Sequence, residues 1–353
     1  MNKRYLVAAV GAALAVAGPA AFAVEAKISG QVNRGIMQVD DGTDSELIHV
    51  DTDTSSTRFR FTGSEEIMPG LKAGIVWEVE YQSNDSSVVT PTVRDSAGPS
   101  FGERKMEVYF QGGFGQVSLG QGDGAANGAI EVDLSGTSVV SYAGTADVGG
   151  AVAFVGGPTL GSVIGQQDFE SRYDRLRYDT PTLGPVVLSV SSGTKDTSVA
   201  IDNGDVAELA AWLNFDLGAG GKLAAALGSS TKELGGATGD VETTGGSVSW
   251  LAPFGLNVTL ARSNLQNDAG RDSDFTYAKV GYKVGPHAVS VDYALGEDEA
   301  AVGDEATHTG VQYVYVASKA VEVYGGYKTI SLDRAVGSFD DITIALIGSR
   351  IKF

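Results

Sequence analysis

The side chains with most chemistry to offer are charged, and they recur at a spacing of two. Arg58 and Arg60 flank Phe59, and Arg175 and Arg177 flank Leu176. Lys72 and Lys105 hold the polar phase of two other alternating runs, and Glu131 and Asp133 flank Val132. On an extended chain, residues i and i+2 share one face, so each pair aims two like charges in one direction. Such rows suit electrostatic sorting of solutes and ions better than bond-making. Covalent and metal chemistry have little support. The 353 residues include no cysteine, which excludes thiol catalysis and every Cys-based metal site. His49, His287 and His308 are scattered. There is no Walker phosphate loop. The acidic runs 40–44, 51–53 and 297–305 lack the twelve-residue EF-hand spacing and read as solvated loop charge, with no metal and no cofactor implied. Paired carboxylates mean little where 44 acids stand against 25 bases, and a net charge of −19 argues against nucleic acid as a partner.

The elements that position these residues are strands. Leu71, Ala73, Ile75, Trp77, Val79 and Tyr81 alternate with Lys72, Gly74, Val76, Glu78, Glu80 and Gln82. Runs at 105–111, 209–217 and 288–295 alternate in the same way, a period of two rather than 3.6. Sixteen strands are expected, beginning near residues 27, 55, 70, 104, 114, 171, 186, 206, 222, 243, 255, 274, 286, 307, 320 and 341. Their connectors alternate in length. Short Gly/Pro turns such as 68–70, 112–115, 253–255 and 285–286 alternate with long acidic segments such as 40–54, 83–103 and 230–242. This is the pattern of an up-and-down barrel with a short-turn end and a long-loop end.

Residues 1–23 read as a secretory signal peptide: Lys3 and Arg4, an apolar core from Leu6 to Ala17, a Gly18-Pro19 break and an Ala21-Phe22-Ala23 cleavage site. Its removal leaves residues 24–353, with a net charge of −21. No later run reaches the length of a membrane-spanning helix. The fold class expected is all-β: a transmembrane 16-stranded antiparallel up-and-down β-barrel. One connector, 122–168, is far too long for a turn and is expected to fold into the lumen as a constriction loop.

Five segments give the chain its resemblance to the Gram-negative general porins. They are Ser56–Glu66 with Pro69–Lys72, Phe114–Gly120, Arg175–Pro181, Tyr313–Lys319 and the terminal Phe353. Gln121, Ala320 and Ser349 depart from the family pattern. The resemblance implies an outer-membrane homotrimer, with strand one, the strands after it and strand sixteen near the subunit contacts. It implies a water-filled channel for passive diffusion of small hydrophilic solutes and ions, in contact with outer-membrane lipid. It also implies that Phe353 is an assembly signal.

Turning the apolar phase outward sends Arg58, Arg60, Lys72, Lys105, Arg175 and Arg177 inward as a basic wall. Glu131 and Asp133, with Asp147 as a third, lie where the family places its acidic loop residues. Arg34 shares the phase of Val32 and Ile36 and is expected outside. A basic wall facing an acidic loop sets up a transverse field that orders water and polar solutes. The acidic surplus suggests mild cation preference. Two other readings are a substrate-selective channel, marked by an aromatic track, and a soluble exported adhesin or lectin.

Overall fold

A computed structural model describes residues 25–96, 101–195, 204–234, 239–335 and 337–353. The signal peptide lies outside the described residues. The chain forms a single antiparallel sheet that closes on itself. Its first strands are β1 (Glu25–Asp40), β2 (Ser45–Asp51), β3 (Arg58–Met68), β4 (Leu71–Tyr81), β5 (Phe101–Gly112) and β6 (Gly115–Asp123). After a long connection follow β7 (Arg172–Asp179), β8 (Val186–Thr194), β9 (Asp205–Asp216), β10 (Lys222–Glu233) and β11 (Val241–Leu251). The wall is completed by β12 (Leu256–Asn267), β13 (Asp272–Val284), β14 (His287–Glu297), β15 (Glu305–Val316), β16 (Val321–Asp333) and β17 (Ile342–Lys352).

Sixteen wall positions result because β2 and β3 are two pieces of one strand. Both pair with β1, β2 through residues 34–40 and β3 through residues 25–31. The sequence reading expected a long loop over 40–54. Instead a tight turn at 41–44 leads straight into β2, so strand two starts ten residues earlier than expected. Asp41 closes that turn by accepting from the Thr43 and Asp44 amides. Between β2 and β3 the chain leaves the ladder and passes through a 3₁₀ turn at Asp53–Ser55. Gln31 and Asn33 fill the gap, donating side-chain amide bonds to the Thr52, Ser55 and Ser56 carbonyls.

β1 pairs with β17 from Gln31↔Lys352 to Asp40↔Thr343 and closes the barrel. Gly30 and Phe353 exchange two backbone bonds at the seam, of 2.9 and 3.0 Å. A closed ladder leaves no strand edge, as lipid requires. No helix among the described residues is long and apolar enough to cross a membrane. The side chains are arranged inside out. Val108, Leu119, Leu227, Leu260, Val280, Val291 and Ile347 are exposed on the outer face, while serines, glutamates and lysines of the opposite phase are buried within.

The long connection, 124–171, lies inside this wall and builds the protein's apolar core there. Ile130, Val139, Val148, Phe154, Leu160 and Ile164 pack against Phe275, Tyr277, Ile330, Ile342 and Leu346 of the late strands. Glycines on the inner wall make room. A Cβ on Gly245 would come within 2.6 Å of Ile130, and one on Gly296 within 2.4 Å of the Val163 carbonyl. Polar anchors hold the loop in place. Ser247 and Ser249 accept from the Val132 and Leu134 amides at 3.0 and 2.9 Å. Lys328 donates to the Thr145 and Val148 carbonyls at 2.7 and 2.6 Å.

Candidate functional site: a charged aperture

The loop fills one side of the lumen and leaves a cavity of about 520 Å³ on the other. Four arginines line it: Arg58 from β3, Arg104 from β5, Arg172 from β7 and Arg350 from β17. Facing them are Glu131, Asp147 and Asp168 of the loop, with Asp53 from the excursion between β2 and β3. That excursion also touches the loop directly, Thr54 donating to the Val139 carbonyl at 2.6 Å. Two inward-turned segments therefore narrow the lumen from different directions.

Three of the arginines are ion-paired to neighbours on the wall. Arg104 donates to Glu78 at 2.8 Å and Glu80 at 2.7 Å. Arg172 donates to Asp123 at 3.1 Å, and Arg350 donates to Glu322 at 2.8 Å. Arg58 differs. It reaches Ser55 Oγ at 3.3 Å, and no carboxylate among the described residues lies within ion-pair distance of it. Its charge is offered to the water.

The loop carboxyls are poised differently from the wall groups. Burial pushes all three above the ordinary carboxylate range. Asp147, buried and beside Glu131, is raised to about 7, despite a hydrogen bond from Tyr142 that lowers it. Glu131 is raised by burial, against a bond from Gln166 at 2.6 Å. Asp168 is raised well up by burial and by Glu131. The loop side of the aperture therefore holds its protons to higher pH than free carboxyls do, with Asp147 raised to about 7.

The residues singled out in the sequence are distributed as follows. Arg58 and Glu131 line the cavity. Arg60 points inward and pairs with Glu78 just outside the lining. Lys105 pairs with Asp123. Arg175 is buried, bonded to Glu107 and to the Gly120 and Asp123 carbonyls, and Arg177 donates to the Gly124 carbonyl at 2.7 Å. These two clasp the root of the loop rather than face the cavity. Asp133 is turned away, in a buried ion pair of 2.8 Å with Lys279. Lys72 sits beside the short turn, opposite Glu66 and Gln111, and is not among the lining residues.

Five lining charges escaped the sequence reading, among them Asp53, which it took for solvated loop charge. Arg104 was hidden by a β-bulge. Lys105 pairs with Glu78 and Glu103 with Val79, so Arg104 is an extra residue and turns inward beside Lys105. Arg172 and Asp168 lie where the loop meets β7, beyond the reach of alternation. Arg350 did have a signal, since Ile351 next to it is outward.

A closed sixteen-position barrel, apolar outside and narrowed inside by a folded loop with opposed charges, is the architecture of a transmembrane diffusion channel. A family model described as Gram-negative porin matches residues 8–335, and the chain belongs to that family. It is accordingly an outer-membrane channel for passive diffusion. Among solved structures, an anion-selective porin from Comamonas acidovorans is 21% identical, with a TM-score of 0.67, covering 94% of this chain and 100% of that one. The outer membrane channel DcaP of Acinetobacter baumannii is 14% identical, with a TM-score of 0.65, covering 96% and 100%. Salmonella typhi OmpF, in complex with daunomycin, is 11% identical, with a TM-score of 0.63, covering 94% and 98%. No curated protein sequence matches the chain.

Proposed function

We propose that the channel is a general-diffusion porin for small hydrophilic solutes and ions, exported by the 1–23 signal peptide and assembled as a homotrimer. The observation that carries this reading is the aperture itself. Its lining is polar and charged, with Tyr142 as its one aromatic side chain, so no aromatic track marks a preferred solute. Opposed charges across an aqueous gap filter by charge and polarity, with no bond made or broken. At pH 8 the ionised Asp147 and the acidic chain give mild cation preference. Reversal potentials across planar bilayers in a salt gradient test this, and anion preference at pH 8 would sink it. Liposome swelling with a solute series tests the breadth of passage: a steep, saturable preference for one solute would replace general diffusion with a selective channel.

Support for the trimer comes from the outer face of β1. Arg34 projects there between Val32 and Ile36, half exposed. It donates to the Ser83 carbonyl and lies 3.6 Å from Asp51. An arginine facing lipid near the bilayer centre costs about 2–4 kcal/mol. A neighbouring subunit over this face removes that cost.

A further inference from the structure

The wall opposite this face carries a different irregularity. On β10, β11 and β12, Leu227, Gly246 and Arg262 lie side by side in one outward row. Leu227 and Arg262 stand up from it, with 69% of Leu227 and 63% of the Arg262 side chain exposed. Gly246 between them has no side chain, and the result is a groove of about 460 Å³ whose floor is backbone. The row toward the short turns is apolar: Val248, Leu260 and Ala278. The row toward the long loops is polar: Thr244, Asn264 and Asp274. The groove thus straddles the boundary between hydrocarbon and headgroups.

We propose that this groove is a lipid site, taking one acyl chain of an outer-leaflet lipid between Leu227 and Arg262 with the lipid's phosphate held by Arg262. The inference rests on the membrane-spanning reading of the barrel. Arg262 uses one donor on Asp274, at 3.1 Å, and one on Thr276, at 3.2 Å. A guanidinium has five, so three remain in a planar fork suited to phosphate oxygens. Asp274 stands beside the site and opposes a second anion, but Asn264 donates to it at 3.3 Å and disperses part of its charge. On the rim, Thr244 offers a hydroxyl and Asn264, whose amide N–H groups are spent on Asp272, Ser273 and Asp274, offers its side-chain oxygen to the glycerol or sugar of a headgroup. The apolar rows below continue the groove into the acyl layer, where only a lipid chain is available to fill it.

The test is native mass spectrometry of the full mature channel in detergent, with dioleoyl phosphatidic acid or dioleoylglycerol added as matched probes. The phosphorylated lipid should be retained about fivefold more, the scale of one exposed charge pair. Arg262→Gln should bring that ratio near one, Asp274→Asn should raise it, and Thr244→Phe, which roofs the groove, should lower retention of both lipids. Unchanged bilayer conductance in each variant shows that the barrel is intact and separates failure of the lipid site from failure of the channel reading. Equal retention of the two lipids by the parent protein would overturn the proposal. So would a phosphate preference that survives Arg262→Gln, or displacement of the lipid by millimolar inorganic phosphate, which would mark an ion site alone.

Discussion

Arg58 offers the cleanest single-charge perturbation of the aperture. Its guanidinium lines the cavity without an ion-pair partner among the described residues, so its removal orphans no carboxylate. A cavity of 520 Å³ taken as a sphere has a radius of about 5 Å, which sets the distance between this charge and a passing ion. In water a unit charge at ~5 Å contributes ~0.8 kcal/mol, reduced to ~0.4 kcal/mol by screening over a Debye length of ~8 Å. That changes the occupancy of each ion type about twofold, in opposite senses, so the cation-to-anion permeability ratio should rise roughly fourfold in Arg58→Ala. The measurement is the zero-current potential of reconstituted channels in a tenfold KCl gradient, beside Arg58→Lys, which should stay near the parent value. A ratio unchanged in Arg58→Ala, or shifted toward anions, would refute both the placement of this charge and the electrostatic account of the filter.

Selectivity should also depend on pH. Carboxyls raised toward neutrality carry charge above that pH and lose it below. The ratio should therefore fall between pH 8 and pH 5 as Asp147, raised to about 7, takes up a proton, with Glu131 and Asp168 shifted in the same direction. A flat profile over that range would exclude titration of the loop. Lys279→Met leaves Asp133 buried without its partner, which should cost about 3–5 kcal/mol and show as a lower thermal midpoint and noisier single-channel currents. Removing both charges, Lys279→Met with Asp133→Leu, should recover most of the midpoint. Arg34→Leu should weaken subunit association on native gels if β1 lies in a contact, and leave it untouched if that face meets lipid.

Much of the wall was readable because lipid imposes a simple rule on one phase of each strand. Runs such as Val289, Val291 and Tyr293 show the alternation plainly, and the observed strands begin within a few residues of the expected positions. Strand two is the exception. Asp51-Thr-Asp53 looks like loop acid, yet Asp51 ends β2 and receives the Thr57 amide at 2.9 Å, so the polar run belongs to the wall and its inward detour. Site residues were legible only where alternation or family pattern reached them. Arg58 lay in a regular strand. Arg104 sat at a bulge, which shifts the phase without altering composition. Inside the loop, Glu131 and Asp133 are two residues apart and indistinguishable by type. Their opposite fates are decided by Lys279, 146 positions away from Asp133.

The packing of the long connection also bears on the order in which the molecule forms. The segment 124–171 lies near the middle of the chain, but its apolar residues rest on Phe275, Ile330, Ile342 and Leu346. Those partners arrive only with β13 to β17, so the connection lacks the larger part of its apolar seat while the C-terminal strands are missing, although β1, β2 and β11 already offer it contacts. Contacts of such long sequence separation form slowly. Seating of the loop should coincide with the joining of β1 to β17, leaving a half-built wall with an open interior. Pulsed hydrogen exchange during refolding should then show the amides of Val132 and Leu134 becoming protected together with those of the β1–β17 seam, in the slowest phase.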